Sequence, residues 1–425
     1  MKNITRLAIV LATVVSAGAG AQQPISIQHI RPMDQRGLNM FEPSKHDTVT
    51  FQGTRVAFGG AFRQDFQGLD HSNTNPAAPL IGIGHGFNNA SANANLDVQL
   101  VKGIRVAMTS YLSSRHHNET WVKDGYIMMD ASPIDNPILN TVMSYTTLKV
   151  GHFEVNYGDG HFRRTDNGNA LFNPFIGNYV LDAFTTEVGA EAYVHDGWWM
   201  AMGGMTNGEV KGATTAPEKR SPAFFSKFAV DGKPLADMKD LRIRLAFSAM
   251  SQAKSASQTL YGGDRGGSPY YNVVEPTTAT EASNAWSGEV RNPFGSAIQG
   301  QTVNQFIKFK GAEFFGQQEF ARGMNATGET AKRKVSQQVY EGLYRLGSTE
   351  QFYLGGRFIN FKGNLTPGST TIRQEIQRYQ LGGGWFVTKN LLAKGEWVNQ
   401  DYSGFTDIRQ GAKFKGFMFS GAVSF

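Results

Sequence analysis

Between positions 158 and 182 the sequence reads GDGHFRRTDNGNALFNPFIGNYVLD. Two adjacent guanidinium groups, Arg163 and Arg164, stand between the carboxylates Asp159 and Asp166, with the apolar residues Phe172, Phe175 and Tyr179 further on. Cations fixed beside a narrow aqueous path attract anions through their local field. On an open surface the same groups would form only a solvated salt bridge. Covalent and metal chemistry find no comparable support. The chain has no cysteine, and no G-x-S-x-G, H-E-x-x-H or phosphate-binding loop occurs in it. The nine histidines are scattered, and the adjacent pair His116 and His117 lacks ligand spacing on one element. Asp166-Asn167-Gly168-Asn169 resembles a calcium-loop fragment without its closing acid, and turn chemistry accounts for it. No catalytic residue, bound metal or cofactor is therefore expected, and the protein is not expected to be an enzyme.

The elements that must position these residues follow from composition and period. With 425 residues, 18% charged and 12% aromatic, the chain is neither a charge-rich disordered tail nor a coiled coil. Past the N-terminus no apolar run reaches 18 residues, which excludes ordinary spanning helices but not membrane strands of about 9 to 11 alternating residues. The formal charge is only +6 over the whole chain, so no clustered basic face for nucleic acid is expected. Residues 1–21 open with Lys2 and Arg6, continue through apolar Leu7 to Val15 and close on Ala19-Gly20-Ala21. That order is a secretory signal peptide. Residues 22–47, with three prolines and no sustained period, read as an N-terminal periplasmic extension.

From residue 48 to 425 one unit recurs: about ten residues alternating in polarity, then a turn or a loop. Leu241, Ile243, Leu245 and Phe247 alternate with Arg242, Arg244, Ala246 and Ser248. An arginine at the bilayer midplane of a barrel costs about 2–4 kcal/mol, so the apolar set must face lipid and the arginines a lumen. The last strand repeats the pattern with Phe417, Phe419 and Val423, ending on Phe425. A parity change between Val150 and Phe153 reads as a bulge near Gly151. Connections alternate between short ones, such as Lys102-Gly103 and Lys310-Gly311, and long ones, such as Gln252 to Gly300. The expected fold is all-β: a transmembrane antiparallel β-barrel of about sixteen strands, with short periplasmic turns and long extracellular loops. A barrel of that width leaves an aqueous channel unless something else fills it.

On this reading the inward wall cations include Arg55, Arg63, Arg105, Arg242, Arg244, Lys308, Arg345, Arg357, Arg378 and Lys394 as pore-lining residues, together with Lys227. Inward acids are Asp97, Glu187, Glu191, Glu313, Glu319, Glu341 and Glu396. The surplus of bases favours a modest anion preference, whereas pairing across neighbouring strands would instead order the wall. Trp121, Trp198, Trp199, Tyr261, Tyr344, Trp385, Trp397 and Tyr402 are candidates for interfacial girdles.

Together these features resemble a Gram-negative outer-membrane porin. Within that class, DGYIMMD followed by LKVGHFEVNYGDG, inside residues 123–160, is similar to paired strands of the sixteen-stranded general and phosphate-selective porins. The chain has no lysine-rich inward loop of the phosphate-channel kind. The resemblance implies a bacterial outer-membrane location and a passive diffusion channel for small hydrophilic or anionic solutes. It also implies a homotrimer among outer-membrane lipids and insertion by the outer-membrane assembly machinery, with Phe425 as the assembly signal. Loop 158–182 is then the candidate constriction loop, with Arg163, Arg164, Asp159 and Asp166 at the constriction. The alternatives are a substrate-specific uptake channel or an outer-membrane barrel enzyme.

Overall fold

Period-two alternation is realised as strands in a computed structural model that describes residues 27–425 apart from 44, 46–48, 115–119, 211–213, 235–237, 326–328, 370 and 372. The signal-peptide reading of residues 1–21 and the pair His116 and His117 lie outside the described residues. The strands are β1 (Arg55–Ser72), β2 (Gly86–Val101), β3 (Ile104–Ser113), β4 (Trp121–Met129), β5 (Thr146–Glu154), β6 (Thr186–Asp196), β7 (Trp199–Thr206) and β8 (Ala223–Gly232). They continue as β9 (Leu241–Gln252), β10 (Ser296–Phe309), β11 (Ala312–Met324), β12 (Arg333–Leu346), β13 (Phe352–Gly363), β14 (Gln374–Thr388), β15 (Leu391–Ser403) and β16 (Lys413–Ser424). Each strand pairs antiparallel with its sequence neighbours, and β1 pairs with β16 from Ala61↔Ser424 to Ser72↔Lys413. The sheet therefore closes with no free edge, so the strand backbone meets its hydrogen-bonding needs within a membrane.

Side-chain direction follows the expected parity. Phe58, Phe87, Leu245, Phe247, Phe417 and Phe419 are exposed on the outside, while Arg244, Met418, Ser420 and Ala422 are buried inside. Trp121, Trp198, Tyr344 and Trp385 are exposed as a girdle requires, but Tyr261 and Tyr402 are buried in the lumen. The bulge expected near Gly151 is absent: β5 keeps an unbroken register with β6 from Thr146↔Val194 to Glu154↔Thr186. Phe153, Val155 and Tyr157 are instead fully buried members of the lumen's apolar cluster. Apolar residues on a membrane strand usually face lipid, which is what makes the parity change read as a bulge; here the lumen itself has a core to cover them.

Tight turns sit at the end of the barrel where the first and last strands meet. At Lys102-Gly103, Gly103 has φ +74°, and a Cβ there would lie 2.3 Å from that of Ala131. The long exception on this side, after β4, contains helix α1 (Pro137–Tyr145), whose start is capped by Asn136 accepting from the N–H groups of Ile138 (3.0 Å) and Leu139 (3.2 Å). At the opposite end the connections are long, and two of them, residues 155–185 and 253–295, turn into the lumen rather than away from it.

Candidate functional site

Loop 158–182 crosses the lumen from wall to wall. It leaves β5, and Asp159 meets Arg244 of β9 (2.7 and 2.9 Å) and Lys227 of β8 (2.8 Å). On the far side, the ammonium of Lys394 on β15 donates to the carbonyls of Ala170, Asn173 and Phe175 at 3.0, 2.9 and 2.7 Å. Glu396 accepts from the Ile176 N–H at 2.7 Å, Arg357 donates to the Gly177 carbonyl at 2.7 Å, and Arg378 to that of Asn178 at 2.6 Å. Gly168 N–H reaches Asn93 of β2 at 3.1 Å. A buried loop needs partners for each backbone group, and the inward polar side chains of the wall supply them.

Sequence placed Arg163, Arg164, Asp159 and Asp166 on a lumen loop, and all four are there. Arg163 and Arg164 are only 3% and 4% exposed, however. Arg163 contacts Asn39 and lies 3.3 Å from Glu341, and Arg164 is paired with Asp182 in two hydrogen bonds. Asp166 is in contact with Lys123 of β4. The two arginines thus brace the loop from within it. The wall cations behave similarly. Arg63 lies 3.5 Å from Asp65, Arg105 3.3 Å from Asp130, Arg242 2.6 Å from Asp231, and Arg345 and Lys308 both face Glu313, at 2.7 and 3.3 Å. Arg357 is 2.9 Å from Glu341. Arg55, at the strand's edge, donates to Gln52 at 2.5 Å. Phe425 is exposed on the barrel exterior and bonds to the Gly60 backbone in both directions, at 2.9 and 3.0 Å.

A second insert reaches the lumen from the other end. In the segment 27–43, Gln35 N–H donates to the Lys389 carbonyl (2.8 Å) and its side chain to Thr349 (2.9 Å), both in turns at that mouth. Asn39 donates to Glu313 at 2.6 Å, Phe41 packs edge-on against Phe306 with centroids 5.5 Å apart, and Glu42 meets Arg244 (2.7 Å) and Lys227 (2.8 Å). Burial opposes ionisation of Glu42 and Asp159, but the Arg244 and Lys227 charges outweigh it and hold both carboxyls below the usual range. A depressed carboxylate contributes stability above its unfolded value and loses it as pH falls through the folded one. Single-channel current is accordingly expected to be steady from neutral pH down to about pH 4, the ordinary carboxylate value, and to become noisy only at lower pH as the insert loosens. Onset of that noise near pH 6 would count against this pair as the clasp.

The crossing loop, the 253–295 loop and the N-terminal segment together fill the β7–β16 side and leave a cavity of about 300 Å³ against the β2–β6 wall. Its lining runs from His29, Asp130 and His195 near the terminal end to Lys123, Asp166 and Asn169. Arg31 lines it too, stacked 3.7 Å above the Phe172 ring centre and donating to the carbonyls of Gly37 (2.9 Å) and Phe162 (3.1 Å). Burial lowers the Arg31 guanidinium to about 9, with Arg163 adding to the effect and Glu154 opposing it, so it remains cationic at neutral pH. Burial also lowers His161 against the pull of Glu154, which favours its neutral form. Sequence missed Arg31 and Glu42, because the segment carrying them has no period. It missed Lys123 and Asp124 because a register shift between Thr109 and Ser110 turns both adjacent residues inward, against simple alternation.

A closed antiparallel sheet of sixteen strands, apolar outside and charged within, has the architecture of a transmembrane β-barrel of the bacterial outer membrane. No family model matches the sequence, and no curated protein matches it. Among solved structures it is similar to the outer-membrane channel DcaP of Acinetobacter baumannii (TM-score 0.53, 9% identity, 88% of this chain and 98% of that one). It is also similar to the anion-selective porin from Comamonas acidovorans (0.52, 10%, 88% and 100%) and to the trimer form of OmpT, an outer-membrane protein of Vibrio cholerae (0.52, 8%, 88% and 100%). At such identities the likeness is one of fold.

Proposed function

We propose that the protein is a passive outer-membrane channel for small hydrophilic solutes, without catalytic activity, whose water route follows the β2–β6 wall. This reading rests on the cavity left where two lumen loops and the N-terminal segment occupy the rest of a barrel wide enough for open flow. The purified protein in a planar bilayer is expected to give steady ohmic steps, small for a sixteen-stranded barrel. Folded protein that never conducts would overturn the reading.

The inward count of bases suggests an anion preference, and the anion-selective neighbour has the same fold. Against it, the wall and loop cations other than Arg55 face carboxylates or loop carbonyls, and the cavity lining has five arginines and lysines beside six carboxylates. Selectivity is therefore expected to be weak, with a reversal potential close to zero under a tenfold salt gradient. A strongly anion-selective potential would restore Arg163 and Arg164 as field-setting residues. The small, mixed-charge cavity favours a second reading, a channel with a saturable site. A homotrimer is supported by the trimeric neighbour, and the mass of the detergent-extracted assembly tests it.

A further inference from the structure

Most charges around the cavity are matched in place. Lys123 contacts Asp166, Lys149 lies 3.4 Å from Glu191, Arg105 faces Asp130, and Arg164 faces Asp182. Three have no ion-pair partner in contact among the described residues: Asp97 on β2, Asp124 on β4 and Arg31 on the N-terminal insert. The two carboxylates belong to neighbouring rows of the wall, since Asp97 pairs with Ala107 and Asp124 with Thr109, adjacent inward positions of β3. The small Ala107 side chain leaves room between them. Asp124 is 8% exposed, and its Oδ1 has no hydrogen-bond partner. Thr109 hydrogen-bonds the Asp124 carboxylate, and the charges of Lys123 and Lys149 act on Asp124, and that of Arg105 on Asp97, without an ion-pair contact. Arg31 lines the same cavity and uses Nε and Nη2 on backbone carbonyls, so its fixed charge is met by oxygen dipoles and an aromatic face rather than by a carboxylate.

Unpaired charge in a confined space is costly to maintain unless a ligand completes it. A simple anion would meet Arg31 but face two carboxylates, and a simple cation would meet the reverse. We propose that the cavity is a binding subsite for small zwitterions carrying ammonium and carboxylate at opposite ends, the class of dipeptides and ω-amino acids. The ammonium sits between Asp97 and Asp124, and the carboxylate sits on the free donors of Arg31. Asn95 and Thr109 on the wall and the Phe172 ring complete the lining. The volume lies at the small end of the range for ligand pockets, so longer peptides are excluded by size.

This inference rests on the channel reading, and the experiment separates the two. Glycylglycine added to a single open channel is expected to cause brief, concentration-dependent blockades, while acetate, ethylammonium and glucose at equal concentration cause none. Asp97→Asn with Asp124→Asn, or Arg31→Gln, is expected to lower the blockade rate at least tenfold, whereas Arg31→Lys keeps it because the charge remains. A conducting channel that glycylglycine blocks no more than glucose does, or variants that block like the parent, overturns the subsite and leaves the channel reading intact. If the folded protein does not conduct, the channel reading fails. Calorimetric titration of the detergent-extracted protein with glycylglycine then decides the subsite: saturable heat lost in the Asn variants supports it, and its absence overturns it.

Discussion

Deletion of residues 27–43 from the exported chain is expected to raise single-channel conductance several-fold while the barrel still assembles. The segment contributes no strand, and every wall pairing, including β1 to β16, forms without it. Inside the lumen it covers the turns at Gly347–Glu350 and Lys389 and seats Asn39, Phe41 and Glu42 beneath the crossing loop. Conductance grows with the free cross-section of the narrowest stretch, so removing this insert widens the route at the mouth where it enters. Unchanged conductance after deletion would show that the crossing loop alone sets the bottleneck.

The second large effect is expected at Arg244. Its guanidinium bridges both inserts, with Asp159 of the loop at 2.7 and 2.9 Å and Glu42 of the N-terminal segment at 2.7 Å. Lys227 reaches the same two carboxylates at 2.8 Å, so two cations and two anions form one buried group. Removing one member leaves uncompensated charge in a dry setting, which costs about 3–5 kcal/mol. Arg244→Ala should therefore lower the thermal unfolding midpoint and add large current noise as the inserts loosen. Combining it with Glu42→Gln should recover part of the loss, because the surplus negative charge is removed with its partner. If the double variant is as destabilised as the sum of the singles, the two residues are not coupled and the bridge is not the clasp.

Arg242 and Arg244 alternating with Leu241, Ile243, Leu245 and Phe247 could only be a strand between lipid and lumen, and β9 is that strand. The alternation of short and long connections likewise gave the meander order and the even count. The bulge expected near Gly151 does not form, because hydrophobicity alone does not distinguish lipid from the protein-filled lumen that covers Phe153, Val155 and Tyr157. Lys123 and Asp124 were missed because one register shift defeats a two-residue period. Arg163 and Arg164 were placed in the lumen correctly, but their partners Glu341 and Asp182 lie 178 and 18 positions along the chain, beyond any local pattern.

The barrel is set locally: a bilayer on one side and water or protein on the other impose a period of two on every strand, and that period is written in adjacent residues. Its contents depend on contacts that form only in the folded chain. The inserts are held by contacts between distant positions, such as Lys394 with Ala170 or Arg244 with Glu42, which no local pattern records. Closure brings them within hydrogen-bond distance, and the same closure leaves Arg31, Asp97 and Asp124 around one cavity.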